Sequence, residues 1–195
     1  TKGIMRRVVE QLIDEGCDVA ICSRSEDSVA RALRELSGGR GKAIGRACDV
    51  LDKEDYESWI EEMVAQMGGV DIFIPGVSAG GGADSERNWW KNFEVDVLST
   101  VRGCEAVIPH MQAGGGGAIT FITTTAAVET FGGPQAYNAM KGSLLVYAKQ
   151  LSQDVGKDKI RVNCVSPGPT YFEGGSWEML KDTMSKSFSK IERDH

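Results

Sequence analysis

Tyr137-Asn-Ala-Met-Lys141 sets a phenol and an ammonium at positions i and i+4. On a helix these two share a face, so their heads can act on one reacting group. A tyrosine with its ordinary pKa near 10 is a poor base at neutral pH, and a neighbouring cation favours its phenolate. Phe121-Ile-Thr-Thr-Thr125 closes an apolar run with hydroxyls. From there Thr124 can hydrogen-bond a carbonyl oxygen and polarise it. Together the three side chains suit proton transfer at a carbonyl or alcohol carbon. Lys2-Gly3-Ile4 opens an amphipathic stretch whose first backbone N–H groups and dipole can receive a phosphate. Arg161-Val-Asn-Cys-Val-Ser-Pro-Gly168 is a strand pattern stopped by Pro167-Gly168.

These residues need a scaffold that gathers them, and the periodicity supplies one. β-rich runs are expected at Asp18–Ser23, Lys42–Ala47, Val70–Ile74, Ala118–Ile122 and Lys159–Val165. Amphipathic helices are expected at Ile4–Glu15, Glu26–Leu36, Lys53–Gln66, Trp89–Met111 and Gln135–Val155, with a last one at Trp177–Lys190. Gly16 suits a helix C-cap and Asp52 an N-cap. Strands alternating with helices of this length indicate βαβ units, hence an α/β fold with a Rossmann-like, doubly wound parallel sheet in three α/β/α layers. Such sheets bind ligands beyond the carboxyl ends of their strands. The loops after Ser23, Ala47, Ile74, Ile122 and Val165 hold most of the unusual residues.

Composition narrows the function classes. The chain has 195 residues, 41% of them hydrophobic, enough for a packed core. No apolar run approaches the ~18 residues that span a bilayer, and a net charge of −6 argues against nucleic acid as the main partner. The five cysteines are spread out with no C-x-x-C pair, and neither histidine stands near a cysteine at metal-ligand spacing. Reduced thiols in a cytoplasmic protein, with no metal site, are expected.

Lys2-Gly3-Ile4, Cys48-Asp49-Val50, the hydroxyl run, Tyr137 with Lys141, and Asn163 with Pro167-Gly168 stand in the order and spacing of the short-chain dehydrogenase/reductase family. The chain resembles that family from residue 1 to about residue 180. The resemblance implies hydride transfer between a nicotinamide and a carbonyl or secondary alcohol, with 3-oxoacyl-thioesters or small ketones as candidate substrates. It implies Tyr137 as general acid/base, Lys141 lowering its pKa and binding the nicotinamide ribose, Thr124 at the substrate-orienting serine position, and Asp96 at the asparagine position. Asp49 and Val50 are implied at the adenine, Lys2, Gly3 and Ile4 at the phosphates, and Pro167, Gly168 and Thr170 beside the nicotinamide. The Gly80–Arg87 and Ser166–Met179 loops are expected to grip substrate, with Trp89, Tyr171, Phe172 and Trp177 as apolar walls. The family also implies a homo-oligomer, dimer or tetramer, in which Gln135–Val155 is one paired helix.

NADP(H) is preferred over NAD(H), since no acid stands at Ser23, the end of the Asp18–Ser23 strand, and Arg24 can meet a 2′-phosphate there. The chain departs from the family where Gly3-Ile4-Met5 replaces Gly-Ile-Gly and Pro75-Gly76-Val77-Ser78 replaces Asn-Asn-Ala-Gly. It departs again at Asp96 and at Thr124. These changes motivate a second reading, a catalytically weak nucleotide-binding or sensing protein on the same fold. The phosphate turn also lies at the first residues. The chain is therefore expected to be one domain, residues 1–195, partial at both ends and belonging to a longer one of about 250 residues.

Overall fold

The computed structural model describes residues 2–82, 84–129, 133–172, 174–175, 178 and 181. Among these residues five strands alternate with helices: α1 (Gly3–Asp14), β1 (Val19–Ser23), α2 (Glu26–Leu36), β2 (Ala43–Ala47), α3 (Lys53–Met67) and β3 (Ile72–Phe73). There follow α4 (Glu86–Asn92), a π-helical segment (Phe93–Leu98), α5 (Ser99–Ala113), β4 (Gly117–Ile122), α6 (Ala136–Val155) and β5 (Ile160–Val165). Every strand pairing is parallel. The strands form two sheets, β1–β2 and β3–β4–β5, and among the described residues no strand joins β1 to β3.

Local chemistry starts and stops these elements. The Ser25 hydroxyl accepts from the Ser28 N–H at 3.3 Å, and Glu26 and Asp27 complement the N-terminal dipole of α2. Asp52 caps α3 as expected, accepting from the Asp55 N–H at 3.1 Å. Gly68, in the left-handed region at φ 79°, ends α3. The cap of α1 is Glu15 rather than Gly16, which follows it with φ 94°.

Two apolar clusters fix the layers. Ile21 joins Val9 and Ile13 of α1 and Val29, Ala32 and Leu36 of α2. Its neighbours Ala20 and Cys22 pack on the opposite cluster, with Tyr56, Trp59 and Ile60 of α3, Cys104 and Met111 of α5, and Ile119 and Phe121 of β4. Alternate strand residues thus serve opposite layers. Ile119 and Phe121 are fully buried, each worth about 1.5–3 kcal/mol of burial.

Two expected elements differ. The third strand is only Ile72–Phe73, because Pro75 brings no N–H and ends the ladder. The expected single helix over Trp89–Met111 is split by the π-helical segment. Within it Asp96 is buried, between Asn92 on α4 and Ser99 and Thr100 on α5. The wider turn brings Asp96 onto the face that α4 and α5 bury. The expected helix Trp177–Lys190 lies outside the described residues apart from Glu178 and Lys181.

Candidate active site

Three elements bring four of the expected side chains together at the carboxyl end of β4. Tyr137 and Lys141 lie on the first turns of α6, Thr124 just beyond β4, and Asp96 in the π-helical segment. Lys141 is buried, and its Nζ donates to the Ile122 carbonyl at 2.8 Å. The same Nζ lies 3.1 Å from Asp96 Oδ1 and 5.9 Å from the centre of the Tyr137 ring. Asp96 is 0% exposed, and its Oδ2 accepts from the Ala79 N–H at 3.0 Å. Its Oδ1 is held by charge alone, since no hydrogen bond in the structure reaches it. The Thr100 hydroxyl donates to the Asp96 carbonyl at 2.8 Å and the Ser99 hydroxyl to Val95 at 2.6 Å, satisfying carbonyls of the widened turn.

The electrostatics correct one expectation. The Tyr137 phenol is pushed above its ordinary value, first by burial and then by the Asp96 carboxylate, against a lowering contact with the Thr124 hydroxyl. Lys141, expected to favour the phenolate, is itself ion-paired with Asp96. The phenol is therefore protonated at neutral pH, with burial the larger cause and the Asp96 carboxylate the smaller.

The second group of expected residues meets at the start of α1. Gly3 has φ 51°, Lys2 before it is extended, and no side chain caps the helix or puts an acid in its first turn. Lys2, Gly3 and Ile4 face Thr170, Tyr171 and Phe172 across a groove of about 930 Å³. The Phe172 ring stands on Gly3, only 2.6 Å from where a Cβ would lie. Pro167 is tied to the hydroxyl run, its carbonyl accepting from the Thr125 N–H at 3.1 Å. The Thr170 hydroxyl donates to the Gly168 carbonyl at 3.0 Å.

A third group sits where β1 and β2 end. Arg24 is exposed in the turn formed as the Ser25 N–H donates to the Ser23 hydroxyl at 3.2 Å. Asp49 accepts from the Leu51 N–H at 3.1 Å, its own N–H donates to Asp55 Oδ2 at 2.9 Å, and Val50 is buried. Of the expected apolar walls, Trp89 donates its Nε1–H to Asp84 at 2.9 Å, while Trp177 lies outside the described residues.

Sequence reasoning missed one pairing. The Met5 side chain lies against Gly76, where an added Cβ would come within 2.6 Å of it. The methionine that departs from the glycine motif fills space left by a glycine that departs from the asparagine motif. The available signal was two departures of opposite volume, one on the first turn of α1 and one in the turn after β3.

Over residues 1–190 the chain matches the family model described as enoyl-(acyl carrier protein) reductase. It belongs to the short-chain dehydrogenase/reductase family. This short-chain dehydrogenase/reductase is 33% identical to dehydrogenase/reductase SDR family member 4 of Bos taurus over 185 residues, 91% of this chain and 66% of that protein. It is 28% identical to an isoepoxydon dehydrogenase of Penicillium expansum, over 92% of this chain and 71% of that one. L-sorbose reductase of Gluconobacter frateurii, solved with NADPH and L-sorbose, superposes with a TM-score of 0.84 at 27% identity, covering 96% of this chain and 74% of that chain. The chain thus spans about two thirds of the length of the bovine relative.

Proposed function

We propose that the protein is an NADP(H)-dependent oxidoreductase that interconverts a carbonyl and a secondary alcohol, working as a reductase at neutral pH. The observation that carries this reading is the convergence of Thr124, Tyr137, Lys141 and Asp96 beyond β4, with Tyr137 held protonated. A general acid must carry its proton at the working pH, and this phenol does.

The start of α1 fits a dinucleotide phosphate once the Phe172 ring leaves Gly3: uncapped N–H donors, no acid in the first turn, and Lys2 beside the glycine. Bound with its nicotinamide toward Tyr137, the cofactor would supply or accept the hydride. Lys2, Gly3 and Ile4 hold its phosphates, Arg24 pairs with a 2′-phosphate, and Asp49 and Val50 border the adenine. Pro167, Gly168 and Thr170 line the nicotinamide side. In reduction, Thr124 Oγ1 hydrogen-bonds the substrate carbonyl oxygen while Tyr137 Oη donates its proton to that oxygen. Lys141 holds the ribose hydroxyls, and Asp96 fixes the lysine and keeps the phenol protonated. A small ketone or a 3-oxoacyl thioester presents such a carbonyl.

NADP(H) binding by the sorbose reductase supports the cofactor choice, and NAD(H) remains the second candidate. The reading extends to a homo-oligomer that shares α6, whose Val146 is 61% exposed, and to a cytoplasmic location. Among the described residues no helix is long and apolar enough to cross a membrane. The departures at Met5 and Pro75-Gly76 support the second reading, a nucleotide binder with weak catalysis. Titration with NADPH followed by turnover of a ketone panel separates the two. Tight binding with no turnover, unchanged in Tyr137→Phe, would establish the binder and overturn the reductase.

A further inference from the structure

Two of the five cysteines meet across a strand pair whose ends carry the nucleotide-facing loops. Cys22 pairs in register with Arg46, so Cys48, two residues further along the same parallel direction, lies on the same face of the ladder. The ladder continues to it, since the Cys48 N–H donates to the Ser23 carbonyl at 3.0 Å. Cys48 is buried and Cys22, partly exposed, packs against the same cluster. We propose that Cys22 and Cys48 form a reversible disulfide in response to peroxide, and that closing it weakens nucleotide binding.

The chemistry suits unequal partners. The Cys48 thiol donates to the Cys22 sulfur, holding Cys22 below the ordinary thiol value, while the same contact, then burial, raises Cys48. Cys22 is the more exposed of the two and therefore the attacking sulfur, which reacts as its thiolate. It attacks one peroxide oxygen, the O–O bond breaks, and with one proton taken up the products are a Cys22 sulfenic acid and water. The Cys48 sulfur then attacks that sulfenic sulfur, forming the S–S bond, and its thiol proton leaves with the hydroxide as a second water. Two thiols are oxidised and one peroxide is reduced, a balanced two-electron exchange.

The geometry makes the bond a switch rather than a staple. Strands about 4.8 Å apart with a rise of about 3.3 Å per residue put such diagonal Cα atoms roughly 8 Å apart. A disulfide spans at most about 6.8 Å, so closure draws the strand ends together by about an ångström. Strained bonds of this kind are readily reduced. Ser23-Arg24 follows Cys22 and Asp49-Val50 follows Cys48, so the movement falls on the segments assigned above to the 2′-phosphate and adenine. The effect on binding rests on that assignment; the disulfide does not.

The test treats the reduced protein with hydrogen peroxide at a few equivalents, then counts thiols, maps linked peptides without reductant, and titrates NADPH. Loss of two thiols in a Cys22–Cys48 peptide, a fivefold or greater rise in Kd for NADPH, and reversal of both by dithiothreitol are expected. Cys22→Ala retains the reduced protein's affinity and melting temperature and loses the peroxide response, and Cys48→Ala checks the same bond from the other side. Linkage through Cys17, Cys104 or Cys164, or over-oxidation with no disulfide, overturns the site. A Cys22–Cys48 bond with unchanged Kd overturns the control. A reduced protein that binds neither NADPH nor NADH sinks the functional reading instead, while the linked peptide still decides the disulfide.

Discussion

The two ends of the cleft answer departures from the family pattern in different currencies. At the start of α1, a methionine replaces a glycine, and the answer is volume: Gly76 leaves room for the Met5 side chain. Beyond β4, an aspartate replaces an asparagine, and the answer is charge: Lys141 pairs with the buried carboxylate. Packing compensation is local and ends at the contact. Charge compensation reaches further, because the same Asp96 carboxylate adds to the rise that burial imposes on the Tyr137 phenol. A substitution that costs no volume can therefore alter chemistry more than one that adds a whole side chain.

Perturbing the charged end gives the largest effects. Tyr137→Phe removes the proton donor and lowers kcat by about 10²–10⁴-fold, with Kd for NADPH unchanged. Stopped-flow turnover beside a fluorescence titration checks both halves, and retained turnover would remove Tyr137 from its role. Lys141→Met leaves the Asp96 charge buried without a partner. It should lose about 3–5 kcal/mol of stability in urea unfolding, and Lys141→Met with Asp96→Asn should recover most of that.

Asp96→Asn alone sharpens the contrast through pH. Alcohol oxidation needs the phenolate, so its rate rises as pH climbs through the raised Tyr137 value. Removing the carboxylate lowers that value and moves the rising limb toward neutral pH, while ketone reduction, which needs the phenol, begins to fall at a lower pH than in the parent. Paired pH–rate profiles in the two directions are the measurement. A limb that does not move would show that Asp96 leaves the phenol alone.

The packed end gives smaller, purely structural effects. Gly76→Ala sets a Cβ against Met5 and should destabilise by about 1–3 kcal/mol. Met5→Gly in the same chain relieves the clash, so a double-mutant cycle in urea should be strongly non-additive. Additive losses would refute the pairing. Smallest is Arg24→Ala, expected to weaken NADPH binding about tenfold and NADH hardly at all, since only the former carries a 2′-phosphate.

Most of the scaffold was legible because strand and helix periods differ so plainly here. The limits of β1, β2, α2 and α6 fall within a residue of the pattern. The π-helical segment was not, since nothing in the apolar pattern of Trp89–Met111 marks a wider turn. Site residues followed from spacing and resemblance, and Thr124, Tyr137, Lys141 and Asp96 do converge. What spacing could not give was the direction of the shift at Tyr137, which depends first on burial and then on a carboxylate from an element distant in sequence. Nor could it give the meeting of Cys22 with Cys48, which arises only when β1 and β2 pair.

The Met5–Gly76 contact also ties together two segments that are far apart in the chain. A side chain at position 76 and the methionine at position 5 claim the same space, so one can grow only if the other yields or turns aside. The start of α1 and the turn after β3 are therefore one packing unit, and a change of volume at either is felt at both.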